Sequence, residues 1–121
     1  MKARFTAQHI RLRLRKSDIS QLQAEQAVTT RLSFPGKDLV FRLEMGRAQA
    51  PSANFKDGEL TVTLPDQQAR QWIDSDQVGI SHTQRSAGLP DLELLIEKDF
   101  PCAHRPMENK ADTFRELAPE E

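Results

Sequence analysis

The pattern of apolar residues in this chain is written twice, and no other feature limits its fold as much. Residues 3–34, "ARFTAQHIRLRLRKSDISQLQAEQAVTTRLSF", lie without a gap over residues 53–84, "ANFKDGELTVTLPDQQARQWIDSDQVGISHTQ". Ala3 and Phe5 fall on Ala53 and Phe55, and Ile10, Leu12 and Leu14 fall on Leu60, Val62 and Leu64. Further along, Ile19, Leu22 and Val28 meet Ala69, Trp72 and Val78. Few identities survive, so the duplication is one of apolar positions. A unit of this length cannot cover its own apolar face and must close on a second copy.

Each copy has the same physical reading. A short strand (2–6; 52–56) turns tightly, through Thr6 to His9 in one copy and Asp57-Gly58 in the other, the second a hairpin signal because glycine accepts positive φ. The next strand alternates, with Ile10, Leu12 and Leu14 on one face and Arg11, Arg13 and Arg15 on the other. A helix of roughly one and a half turns follows. Ser17 is its expected N-cap in copy one, with Ile19 and Leu22 on one face; Pro65 starts it in copy two, with Ala69, Trp72 and Ile73 as the buried stripe. A third strand (27–34; 77–84) leads into a fourth that again alternates, through Leu39, Phe41, Leu43 and Met45 or Leu92, Leu94 and Ile96. The expected fold class is α+β, mainly β: a pseudo-two-fold β-barrel from two ββαββ repeats, 2–45 and 52–98, with two short helices. The domain is expected over 1–105, with 106–121, "PMENKADTFRELAPEE", as a loosely held charged tail.

The stretch "LTVTLPDQQARQWIDSDQVGI", with its hairpin to "LELLIEKDF", resembles the strand, proline-led helix and two-strand unit of the AbrB-like swapped-hairpin transcription factors. That likeness covers Leu60 to Phe100 and implies two interleaved units forming one barrel. Ser75-Asp76 stands where those proteins carry a glycine-aspartate turn. Over its whole length, the opening "MKARFTAQHIRLRLRKSDI", the middle "SDQVGIS" and the ending "EKDFPCAHRP" look like an uncharacterised bacterial family of proteins of about this size. This resemblance implies a small stand-alone domain and brings no catalytic residues with it.

Charge narrows the function classes. The net charge is −1, but residues 1–50 carry ten Lys/Arg against four Asp/Glu while residues 51–121 carry seven against fourteen. Such a split either marks a basic binding surface or is neutralised across an internal interface. No apolar run approaches the length of a membrane span, and the amino-terminal stretch lacks the continuous apolar segment of a signal peptide. A single cysteine agrees with a reducing compartment, and the expected location is the cytoplasm.

The run "RLRLRK" is the main binding feature. Arg11, Arg13 and Arg15 are expected in an outward row about 6.6 Å apart, a pitch suited to phosphates. Lys2, Arg4 and Arg31 would complete a nucleic-acid face. Against this, the segment has no aromatic residue for base stacking, and strand arginines also pair with cross-strand glutamates such as Glu44 or Glu93. A salt-bridged surface is therefore favoured over a nucleic-acid one. Cys102, with His104 two residues on and Asp99 upstream, could serve as a nucleophile or redox sensor. The competing reading is a compact apolar anchor where the last strand ends. A metal at Asp99, Cys102 and His104, helped by His9 or His82, lacks the paired Cys/His spacing of structural zinc. With no phosphate-loop, dinucleotide or hydrolase motif present, no cofactor is expected. The function expected is non-enzymatic binding of a protein or an anionic ligand.

Overall fold

A computed structural model describes residues 1–100 of the chain. In order, the elements are β1 (Lys2–Thr6), β2 (His9–Leu14), α1 (Lys16–Glu25), β3 (Ala27–Ser33), β4 (Asp38–Gly46), β5 (Ser52–Lys56), β6 (Glu59–Pro65), α2 (Asp66–Ile73), β7 (Gly79–Gln84) and β8 (Leu92–Lys98). They form two four-stranded sheets, ordered β1-β2-β8-β7 and β3-β4-β6-β5. Each sheet takes one hairpin from each half of the chain, and the central pairs, β2 with β8 and β4 with β6, are parallel.

The register carries the duplication closely. Phe5 faces Ile10 just as Phe55 faces Leu60, and the parallel partners Ile10 and Leu94 have their counterparts in Leu60 and Phe41. The ungapped overlay fails after the helices, however. Val28 faces Leu43 as Ile80 faces Ile96, so the equivalent of Val28 is Ile80 and not Val78. The cause lies in the linkers. One residue, Gln26, in the left-handed region at φ 62°, takes α1 into β3, whereas residues 74–78 take α2 into β7. Within that longer link the Val78 carbonyl accepts the Trp72 indole N–H at 3.0 Å and the Lys98 backbone N–H at 2.9 Å. Strand β7 accordingly begins at Gly79 rather than at residue 77.

Both helices are longer than expected, ten and eight residues. Helix α1 starts at Lys16, with Arg15 at the cap position in place of Ser17, because Asp18 supplies the cap from inside: its Oδ2 accepts the Arg15 backbone N–H at 2.9 Å. The core is one cluster built from both halves. Ile10, Leu12 and Leu14, then Leu60, Val62 and Leu64, face Phe41, Leu43, Leu94 and Ile96, while Leu22, Ala69 and Trp72 press the helices onto one end. Burying Trp72 completely stabilises by about 3 kcal/mol on area grounds, with its one donor satisfied as well.

No closed barrel is detected among the described residues. Edge strands of the two sheets meet through side chains instead of a backbone ladder. Gln84 on β7 accepts the Ala53 backbone N–H of β5 at 2.6 Å and donates to the Ala53 carbonyl at 3.0 Å, and Thr30 on β3 donates to the Met1 carbonyl at 3.4 Å. An amide side chain that satisfies an edge residue in both directions also denies it to other chains. No helix among the described residues is long and apolar enough to cross a membrane.

Candidate functional site

The arginine row is shorter than its sequence suggests, since β2 ends at Leu14 and leaves Arg15 to cap α1. Arg11 and Arg13 do share the outer face, opposite Arg4 and Lys2 in register. Arg31 lies in the other sheet, 2.7 Å from Asp38, whose carboxyl that guanidinium holds below its ordinary range. The row's partner is Glu97, not Glu44 or Glu93: Glu44 lies 3.6 Å from Arg42, and Glu93 accepts from Thr83. The parallel register places Arg13 directly beside Glu97. Glu97 is only 6% exposed, although it lies on the outer face of its sheet. Its Oε1 accepts a hydrogen bond from Arg11 Nε at 2.6 Å and makes an ion-pair contact with Arg11 Nη2 at 2.5 Å. Arg13 Nε, itself buried, sits 3.1 Å from the same oxygen without the alignment of a hydrogen bond.

Asp99 extends this network, with Oδ1 3.5 Å from Arg13 Nη2 and Oδ2 3.4 Å from Lys2 Nζ. The Phe100 ring lies 5.7 Å from the Arg13 guanidinium carbon, within cation–π range. A guanidinium that already shares a carboxylate and stacks on a ring has little left for a phosphate. Room for the Glu97 stem comes from its cross-strand neighbour Gly79. A Cβ on that glycine would stand 2.9 Å from the Ile96 carbonyl oxygen and 3.0 Å from Glu97 Cβ. The sequence signalled the cations but not their counter-ion, because nothing local in "LELLIEKD" says which strand lies beside it.

Cys102 and His104 fall outside the described residues. Asp99, their proposed companion, is occupied by Arg13 and Lys2, and its backbone N–H donates to the Leu14 carbonyl at 2.7 Å. His9 and His82 stand on opposite faces of their sheet, since His9 is in register with outward Glu93 and His82 with buried Leu94. They cannot share one ion. Among the described residues no group of three metal-ligating side chains converges.

Sequence reasoning expects a partner to meet the barrel loops as well as the arginine face, but it names no residue at the end of the molecule where all four hairpin connections gather. Phe5 and Phe55 face Ile10 and Leu60 across their hairpins and so belong to the inner face, yet they are 50% and 64% exposed. Leu32 and Phe34, at the end of β3, are also exposed. The helices plug the opposite end; here nothing among the described residues does. The turns themselves are tightly held. The Gln8 carbonyl accepts Glu93 N–H and the Gly58 carbonyl accepts Val40 N–H, each at 2.9 Å, which are equivalent bonds in the two halves. Asp57 and Gly58 both have positive φ, 53° and 79°, as their two-residue hairpin turn requires.

Residues 1–118 match the model of one family, described as a family of unknown function (DUF7009). The chain belongs to that family. The match takes in both halves of the DUF7009 chain and runs past the described residues through most of the charged tail. No curated protein matches it, and no solved structure does. Whatever DUF7009 proteins do must therefore be argued from the surfaces just described.

Proposed function

We propose that this protein is a non-enzymatic interaction domain that meets another protein with its hairpin end, built as a pseudo-two-fold barrel in which the two halves make one domain. The observation that carries the reading is the Glu97–Asp99 network. It takes up Arg11 and Arg13, with Lys2 joining at the surface, so the cations of the "RLRLRK" strand are spent on holding β1, β2 and β8 together. That removes the main support for a nucleic-acid face, which needs cations free to release counter-ions from phosphates. The barrel reading is supported by the equivalent registers and by the side-chain bridges between the sheets' edges.

At the hairpin end the exposed side chains include Phe5, Leu32, Phe34 and Phe55. An exposed apolar patch bordered by charges of both signs has the anatomy of a protein contact rather than a polyanion site. A photo-crosslinking amino acid placed at position 55, and separately at position 11, tests this in cells. Protein adducts from position 55, with none to nucleic acid from position 11, are expected. Nucleic-acid adducts from position 11, or no protein adduct from position 55, would overturn the proposal.

A further inference from the structure

The two halves place the same chemistry twice at the hairpin end, and this bears on what can cover it. Phe5 and Phe55 are equivalent through the hairpin registers, and both are half or more exposed although on the inner face. Phe5 is already in tilted ring contact with Phe41, at a centroid distance of 5.4 Å, so its exposed half continues the core outward and is not a stray surface residue. Around this centre the charges come as neutral pairs. Arg31 of β3 and Asp38 of β4 are 2.7 Å apart across one hairpin, in a hollow that Lys37, Arg42, Asp57 and Glu59 also line, and Arg85 and Asp91 are 3.6 Å apart in the equivalent connection of the other half. On the turn between them Lys56 is followed at once by Asp57.

Such a rim excludes two kinds of occupant. It lacks the cation excess that a nucleic acid or an anionic membrane surface needs, and it is not single-signed, so it selects no strongly charged partner. It does complement itself. A two-fold interface brings each residue of one copy against a residue of the other and the reverse, so a patch in which cations and anions are balanced can satisfy its own image. An apolar centre repeated on both sides of the patch supplies the contact that excludes water.

We infer that this end of the molecule is a homodimer interface, occupied by the hairpin end of a second copy of the same chain. The inference rests on the protein-binding reading above and names its partner. Phe5 and Phe55 form the centre, with the Arg31–Asp38 and Arg85–Asp91 pairs exchanging partners across the rim.

Sedimentation equilibrium of the full chain between about 10 and about 300 µM tests it over the range of weak self-association. The wild-type mass should rise with concentration from the chain mass of 13.8 kDa toward twice that value. F5S/F55S should stay at one chain mass throughout. F55E, which changes one exposed side chain, should do so too, guarding against a folding defect in the double variant. F100S alters another exposed ring, at the helix end, and should dimerise like wild type. A wild-type chain that remains monomeric, or a dimer that survives both hairpin-end variants, would overturn the inference. The two readings fail separately. A monomer whose position 55 still captures a different protein in cells sinks self-association alone, whereas a monomer that captures nothing sinks protein binding as well.

Discussion

Replacing Glu97 with glutamine keeps the shape of the arginine network and removes its charge. In the native chain one oxygen accepts a hydrogen bond from Arg11 Nε at 2.6 Å, stands 2.5 Å from Arg11 Nη2 as an ion pair, and lies 3.1 Å from Arg13 Nε, which has no hydrogen-bond partner. Hydrogen bonds to charged groups contribute about 1.5–3 kcal/mol each, and breaking a fully buried ion pair costs about 3–5 kcal/mol. Discounts apply. The Arg11 side chain is 30% exposed and can be rehydrated, and glutamine still offers a neutral acceptor, but the Arg13 side chain is only 16% exposed. The expected loss is about 2 kcal/mol, which in a chain of this size lowers Tm by roughly 6–10 °C. E97Q should also elute later from heparin than wild type at the same pH, because two guanidiniums lose their counter-charge. Differential scanning calorimetry and a salt gradient read both effects. A Tm within about 1 °C of wild type, together with unchanged elution, would refute the claim that Glu97 sequesters the row.

The close approach at Gly79 makes a second prediction. G79A adds a methyl group 2.9 Å from backbone oxygen and 3.0 Å from Glu97 Cβ, so it should destabilise by about 1–3 kcal/mol, whereas G46A, whose nearest neighbour would be a Thr63 methyl at 3.8 Å, should unfold at nearly the wild-type urea concentration. Acid sensitivity should centre on Asp18. Burial pushes its carboxyl up, but the Arg15 backbone N–H, the Met1 α-ammonium at 3.0 Å and the Arg15 charge together bring it below its ordinary value of 3.8. Its contribution is thus complete above the unfolded-state value and disappears as pH falls through the lower folded-state value. Urea midpoints measured down the acid limb should fall less steeply for D18N than for wild type.

Strand positions were legible because each strand alternates and each hairpin has a short connection; 2–6 and 52–56 have the bounds that the pattern alone suggests. Three things were hidden. Alternation records which face a residue takes but not which strand stands beside it, so the parallel neighbours that bring Arg13 to Glu97 had no local signal. Helix length plus linker length could be divided in more than one way, and the structure divides them as ten residues plus one in the first half and eight plus five in the second. The exposed phenylalanines carry the same inner-face signature as core residues. Only the placement of both helices at the far end separates Phe5 and Phe55 from Leu12 and Val62. The charge split, by contrast, was readable, and Glu97 and Asp99 of the acidic half meet three of its cations, Arg11, Arg13 and Lys2.

The parallel pairing of β2 with β8 also dictates an order of events during synthesis. His9 leaves the ribosome well before its neighbour Glu93, with β3 to β7 made in between. Until β8 emerges, the first hairpin has one bare edge and no companion for its arginines, and only the second sheet's hairpins can begin to pair. Native closure of the first sheet therefore waits until Leu92–Lys98 is made, a topology of long-range contacts that folds slowly and leaves newly made Arg11 and Arg13 exposed to whatever polyanion is nearby.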